Sequence, residues 1–208
     1  MIYWISVFIL RLFARCYLCG KAYGLENFPQ TGPYIGVVNH KSNMDVIAMA
    51  LAVRHKVHTM AKHSLFRVPV LKWWLRAVGM FPVIRNAADR RAFNHAIHLL
   101  RNHQVLIMAP EGTRKRTGNV RIRPKTGFIR LAQITDTPVV PIAIFGTDKV
   151  LPPGAWFPRP VSVRVMVGKP IRLEKIQLKH ENKEQIQRQA DMVMDLVYEM
   201  LAQLEANK

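Results

Sequence analysis

The chain has 208 residues, half of them hydrophobic, which is enough for one ordinary domain with a substantial core and too apolar for a disordered chain. Its formal charge of +18 at pH 7 suits anionic partners, whether nucleic acid, acidic lipid headgroups or phosphorylated substrates. The cysteines are Cys16 and Cys19, in an apolar stretch without a second ligand pair, and pairs such as His55/His58 and His95/His98 lack a third ligand. A metal or redox site is therefore not expected.

Residues 2–19 read as an apolar helix. Ile2 to Leu10 is apolar or aromatic apart from Ser6, Arg11 and Arg15 follow at i,i+4, and no acid precedes Glu26. Such a helix is about 27 Å long, close to the hydrocarbon thickness. Arg11 near the midplane would cost about 2.5–3.5 kcal/mol, which disfavours a simple span. Positive charge behind the apolar run, instead of ahead of it, disfavours a secretory signal. The expectation is a membrane-associating helix (residues 1–21) lying in one leaflet, its arginines reaching lipid phosphates. A helix packed on the domain's own surface is the alternative. Residues 22–208 then form a single domain.

Within it, Tyr23 to Phe28 reads as a short strand before the Pro29–Pro33 turn, and Tyr34 to Val38 as a second strand. The loop Asn39-His40-Lys41-Ser42-Asn43-Met44-Asp45 leads into a helical run, Val46 to Arg54. Lys56 to Met60 is a strand, and Val70 to Met80 a helix whose Trp73 and Trp74 suit either a membrane interface or a half-buried core face. Phe81 to Arg85 is a strand, Asp89 to Arg101 a helix and Gln104 to Met108 a strand. Lys125-Thr126-Gly127 opens a helix to about Thr135. Val139 to Phe145 and Val161 to Val167 are strands, separated by a Pro/Trp/Phe loop from Pro152 to Pro160. Residues 181–205 form a helix with Ile186, Ala190, Val193, Met194, Val197, Leu201 and Leu204 on one face. Alternating strands and helices predict an α/β fold, a single domain with a mixed sheet flanked by helices.

Two stretches carry chemistry. On one helix His40 and Asp45 would point roughly 140° apart, so contact requires His40 in the loop and Asp45 in the first helical turn. There Asp45 could hold one ring nitrogen of His40 and leave the other to take a hydroxyl proton. Ser42-x-x-Asp45 also resembles a capping box, with His40 then an ordinary loop histidine. The second stretch is Glu111-Gly112-Thr113-Arg114, followed by Lys115, Arg116, Arg121, Arg123 and Lys125. Gly112 permits close backbone approach, and Thr113 and Arg114 offer a hydroxyl and a planar fork to a phosphate. A solvated basic turn is the plainer reading.

Together and in this order the stretches resemble the glycerolipid acyltransferase family, which includes 1-acylglycerol-3-phosphate acyltransferases. Asn39-His40-x-Ser42-x-x-Asp45 matches the first signature block, Phe81 to Arg85 the second, Pro110-Glu111-Gly112-Thr113-Arg114 the third and Val139-Val140-Pro141-Ile142 the fourth. Ala109 departs from the family's usual phenylalanine, and Lys115 from its frequent serine. The resemblance implies that His40 is the general base, oriented by Asp45, and that Lys62 stabilises the thioester oxyanion. It implies that Arg85, Arg114 and Lys125 hold the acceptor phosphate, that Glu111 fixes that loop or binds a glycerol hydroxyl, and that Gly112 and Thr113 belong to the same substrate-binding segment. The donor would be acyl-CoA or acyl-carrier protein and the acceptor 1-acylglycerol 3-phosphate, with no metal and no cofactor. Glycerol 3-phosphate, another lysophospholipid or a lyso-aminolipid are alternative acceptors. The expected place is the cytoplasmic face of the cell membrane, docked by the amino-terminal helix and the basic surface. A nucleic-acid-binding protein is the remote alternative, without zinc-finger, RNP-like or helix-turn-helix patterns to support it.

Overall fold

The computed structural model of the chain describes residues 1–84, 89–112, 122–152, 154–176 and 182–206. Its strands are β1 (Lys21–Tyr23), β2 (Ile35–Val38), β3 (Val57–Lys62), β4 (Met80–Val83), β5 (Val105–Met108), β6 (Val139–Phe145) and β7 (Arg164–Val167). They form one sheet in the order β1-β7-β6-β2-β5-β3-β4. Strands β2 to β6 run in one direction, β7 pairs antiparallel with β6, and β1 lies parallel to β7. The sheet is mixed, as the alternation of elements predicts.

The helices are α1 (Ile2–Cys16), α2 (Asp45–Ala52), α3 (Pro69–Ala77), α4 (Arg90–Arg101), α5 (Gly127–Thr135), α6 (Thr147–Val150) and α7 (Lys183–Ala206). Period-two alternation along the strands divides the core between two helical layers. Val105 and Ile107 of β5, with Val140, Ile142 and Ile144 of β6, pack under α1 and α2. Leu106 of β5, with Ile35 and Val37 of β2, packs under α4, α5 and α7. Every residue of β2 is buried, as a strand covered on both faces requires. The apolar positions anticipated on α7 are all buried.

Several local readings change: β7 starts at Arg164 instead of Val161, and Met80 belongs to β4 instead of the helix before it. Tyr23 to Phe28 is not one strand: β1 stops at Tyr23 and a 3-10 turn, Leu25–Asn27, follows. Gly24 takes φ 68°, and a Cβ there would collide with the Val167 carbonyl oxygen. The tight approach turns the chain and lets the Asn27 amide donate to that oxygen at 2.9 Å. Strand β3 runs on to Lys62 before a 3-10 turn, His63–Arg67. The α3 helix begins at Pro69, where a missing N–H costs nothing.

Helix α1 has two faces. Tyr3 and Ala14 are buried, and Val7, Leu10 and Phe13 pack against the cluster that α2 shares. The Tyr3 hydroxyl accepts from Val57 N at 2.9 Å and donates to His55 O at 3.3 Å. Arg11, expected to reach lipid phosphates, instead donates from Nε to Ala50 O at 2.8 Å and from a terminal nitrogen to Val53 O. Those carbonyls end α2, where helical bonding leaves acceptors without donors. The other face shows Met1, Trp4, Ile5, Phe8, Ile9 and Leu12 to solvent, at helical spacing. Trp74 of α3 donates to Ser6 Oγ at 3.3 Å, while Trp73 is exposed. Among the described residues no helix is long and apolar enough to cross a membrane.

Arg11→Met keeps the apolar stem and removes both bonds to α2. Urea unfolding should register a loss of about 1.5–3 kcal/mol, the usual range for hydrogen bonds to a charged group. An unchanged midpoint would mean that water caps α2 equally well.

Candidate active site

Strands β2 and β5 are neighbours whose chains leave in opposite directions. From β2 the chain passes through α2 to β3, and from β5 through α5 to β6, so each crossover skips the other strand. This divergence opens a crevice at the carboxyl ends of the two strands, the switch point where open α/β sheets bind ligands. His40 follows β2 there and Glu111 follows β5. The main-chain N–H of His40 donates to Glu111 Oε2 across the crevice at 3.4 Å.

Asn39 anchors the histidine loop. Its amide is 1% exposed, donates from Nδ2 to Ile144 O at 2.8 Å and accepts from Ile144 N at 2.7 Å. The side chain thereby continues the β2–β6 ladder past Val38, where the main chain turns away. Three residues later Ser42 Oγ accepts from Met44 N at 3.2 Å, which shapes the entry to α2.

Asp45 is the first residue of α2 and is buried. Its Oδ2 lies 2.7 Å from His40 Nδ1 and accepts from Ser42 N at 3.3 Å, while Oδ1 accepts from the buried Thr147 hydroxyl. Ser42 does not form the capping box its spacing suggested: Met44 is the N-cap of α2 and has no side-chain cap, and only the bond from Ser42 N back to Asp45 is made. Nδ1 is the ring nitrogen on the carboxylate, and the His40 side chain is 23% exposed.

The second stretch adjoins the first. Tyr198 of α7 donates to Glu111 Oε1 at 3.1 Å, so Glu111 spans the crevice between α7 and the His40 backbone. Burial raises the Glu111 carboxyl above its ordinary value, opposed by the bonds from Tyr198 and His40. Gly112 takes φ 68°, and a Cβ there would lie 2.7 Å from Lys125 Cε and 2.9 Å from its Nζ. The Lys125 side chain therefore lies directly over Gly112, and Lys125 N donates to Pro110 O at 2.9 Å.

His40, Asp45, Glu111, Gly112 and Lys125 thus form one connected group. Lys62 ends β3, exposed at the same edge of the sheet but two strands away from β2. Strand spacing puts it about 10 Å across the sheet from the histidine strand. Arg85, Thr113 and Arg114 lie outside the described residues. Sequence reasoning did not single out Thr147 and Tyr198. A glycine-threonine step after a buried strand was the available sign of Thr147, whereas Tyr198 flanks the apolar stripe of α7 like any boundary residue.

The mixed α/β sheet presents a carboxylate-held histidine at its switch point, with Glu111 and Lys125 beside it. The chain belongs to the Acyltransferase family, whose model matches residues 20–145. A chloroplastic 1-acyl-sn-glycerol-3-phosphate acyltransferase of Brassica napus is 33% identical over 155 residues, covering 71% of this chain and 44% of that protein. The 1-acyl-sn-glycerol-3-phosphate acyltransferase of Bacillus subtilis is 26% identical over 152 residues, 73% of each. The crystal structure of the 1-acyl-sn-glycerophosphate (LPA) acyltransferase PlsC from Thermotoga maritima matches with a TM-score of 0.75 at 27% identity, over 96% of this chain and 80% of that one. The chain spans 42–44% of the length of two plant relatives and 60% of the yeast one. The matched segment contains the histidine and glutamate motifs and stops short of Thr147 and Tyr198.

Because the folded pKa of Glu111 is raised, the native state binds its proton more tightly than the unfolded chain does. Its contribution to stability is complete below the unfolded glutamate value and is lost as pH rises through the folded one. Urea unfolding from pH 4 upward should therefore show wild-type stability declining relative to Glu111→Gln across that window. Parallel curves would mean that Glu111 is no harder to ionise in the fold than in the open chain.

Proposed function

We propose that the chain transfers a fatty acyl group from an acyl thioester, acyl-CoA or acyl-carrier protein, to the 2-hydroxyl of 1-acylglycerol 3-phosphate, giving phosphatidate. The observation that carries this reading is the 2.7 Å contact of His40 Nδ1 with Asp45 Oδ2 at the switch point of the sheet. His40 Nε2 removes the hydroxyl proton as the alkoxide attacks the thioester carbonyl. Asp45 keeps the ring in the required tautomer and stabilises the imidazolium. When the tetrahedral intermediate collapses, the C–S bond breaks and the imidazolium returns its proton to the departing thiolate. No acyl-enzyme is needed. Lys62 at the end of β3 is assigned to the oxyanion.

Lys125, just ahead of the α5 amino terminus, is assigned to the acceptor phosphate, where the helix dipole adds to its charge. Arg85, Thr113 and Arg114 join that site on the strength of their motif positions. Glu111 holds the loop against His40. The names of the relatives support the acyl transfer and the lysophosphatidate acceptor. The acceptor is a membrane lipid, so the outward face of α1 is read as the docking face on one leaflet. The cationic excess adds about 1 kcal/mol per Lys or Arg near an anionic surface.

Thiol release from acyl-CoA, measured with a panel of acceptors, tests the reading. Lysophosphatidate should be the best acceptor. Preference for glycerol 3-phosphate or a lyso-aminolipid would change the acceptor, and no release with any acceptor would remove the activity. His40→Ala should lower kcat by about 10²–10⁴-fold, the usual contribution of a general base.

Two further variants separate orientation from binding. Thr147→Val should lower kcat about tenfold with KM little changed, since one lost bond to the orienting carboxylate amounts to about 1.4 kcal/mol. Lys125→Met should instead raise KM for lysophosphatidate. If Thr147→Val moved KM alone, Asp45 would not owe its catalytic orientation to that hydroxyl.

A further inference from the structure

The loop between α6 and β7 holds Trp156 and Phe157 almost wholly in solvent, at 93% and 81% exposure. Two adjacent large aromatics left in water are costly unless something else covers them. Their location is specific. Arg164, the first residue of β7, pairs with Phe145, the last of β6, so the loop leaves the sheet at the edge that carries His40.

The loop is also pinned at two points. Arg159 N donates to Val150 O at 2.7 Å and closes its base. The Tyr17 hydroxyl, just past the end of α1, donates to Pro158 O at 2.8 Å. The aromatic pair is therefore joined to the helix whose outer face is apolar. Exposed cations Lys149 and Arg159 flank it in the chain, and exposed Arg15, in the last turn of α1, lies two residues before the Tyr17 that holds the loop. Aromatic side chains edged by lysine and arginine suit the boundary between headgroups and acyl chains of an anionic bilayer.

We propose that Trp156 and Phe157 are a second lipid-inserting element, a wedge that enters an anionic leaflet beside the catalytic edge. The inference deepens the acyltransferase reading and rests on it for its purpose. Seating α1 alone attaches the body of the domain. Insertion of the wedge sets the height of the switch-point crevice above the leaflet, so that a resident acceptor meets His40 without leaving the bilayer. The wedge should accordingly govern use of vesicle-resident acceptor and be irrelevant to an acceptor dissolved in water.

The test uses the full chain. Replacing Trp4, Trp73 and Trp74 by Phe leaves Trp156 as the sole tryptophan. On phosphatidylcholine vesicles containing phosphatidylglycerol, its emission should shift to the blue and be quenched by brominated acyl chains. A protein that sediments with those vesicles while Trp156 emission neither shifts nor quenches overturns the wedge and leaves docking through α1 standing. Failure to sediment with them at all overturns both.

The paired variant Trp156→Ser/Phe157→Ser, with circular dichroism confirming the fold, supplies the functional arm. Its apparent KM for long-chain lysophosphatidate in vesicles should rise at least about tenfold, with kcat/KM for a short-chain soluble lysophosphatidate unchanged. Equal losses on both acceptors, or none on either, would overturn the proposal. If wild-type protein turned over neither acceptor, the acyltransferase reading would fail, and the proposal's stated role for the wedge would fall with it, whatever the quenching showed.

Discussion

The buried carboxylate of Asp45 is the constraint on which the rest of the site depends. An anion taken out of water must be surrounded by donors, or it raises its pKa or unfolds its surroundings. Three donors reach it: the His40 ring, the Ser42 main chain and the Thr147 hydroxyl. The first two come from the loop after β2 and the third from the turn after β6. Correct pairing of β2 with β6 is therefore a condition for neutralising Asp45, and the Asn39–Ile144 clamp holds that pairing beyond the end of the ladder. Fold and proposed chemistry share the same hydrogen bonds.

The short helix α2 transmits this constraint to the surface. Its amino end carries Asp45, and its last carbonyls are capped by Arg11 of α1. The α1 helix is consequently a structural part of the domain on one side and an apolar surface on the other. Arg11 commits its Nε and one terminal nitrogen to the end of α2. Of the two cations anticipated for the lipid, Arg15 alone stands on the exposed surface. The tryptophans of α3 divide in the same manner, Trp74 inward to Ser6 and Trp73 outward.

The third element of the site comes from the end of the chain. Tyr198 lies on α7, outside the segment matched by the family model, and holds the carboxylate of the third signature block. Helix α7 closes the second core under the sheet and also fixes Glu111 against the crevice. Its packing thus adjoins the chemistry even though its own sequence reads as an ordinary amphipathic helix.

Much of the architecture was legible in one dimension. The order of strands and helices, the apolar stripe of α7 and the need for His40 in a loop beside Asp45 on a helix all follow from local periodicity and reach. Such signals depend on residues within one or two turns of each other, and the chain states them directly. The break after β1 was missed because Gly24 answers to the distant Val167 carbonyl. Thr147 and Tyr198 were missed for the same reason, since each meets its partner across more than eighty positions. What the sequence alone determined was the set of reactive groups and the local elements that carry them. Only the tertiary structure decided which groups share a crevice, because the crossovers from β2 and β5 diverge over a sheet whose strand order no local pattern encodes.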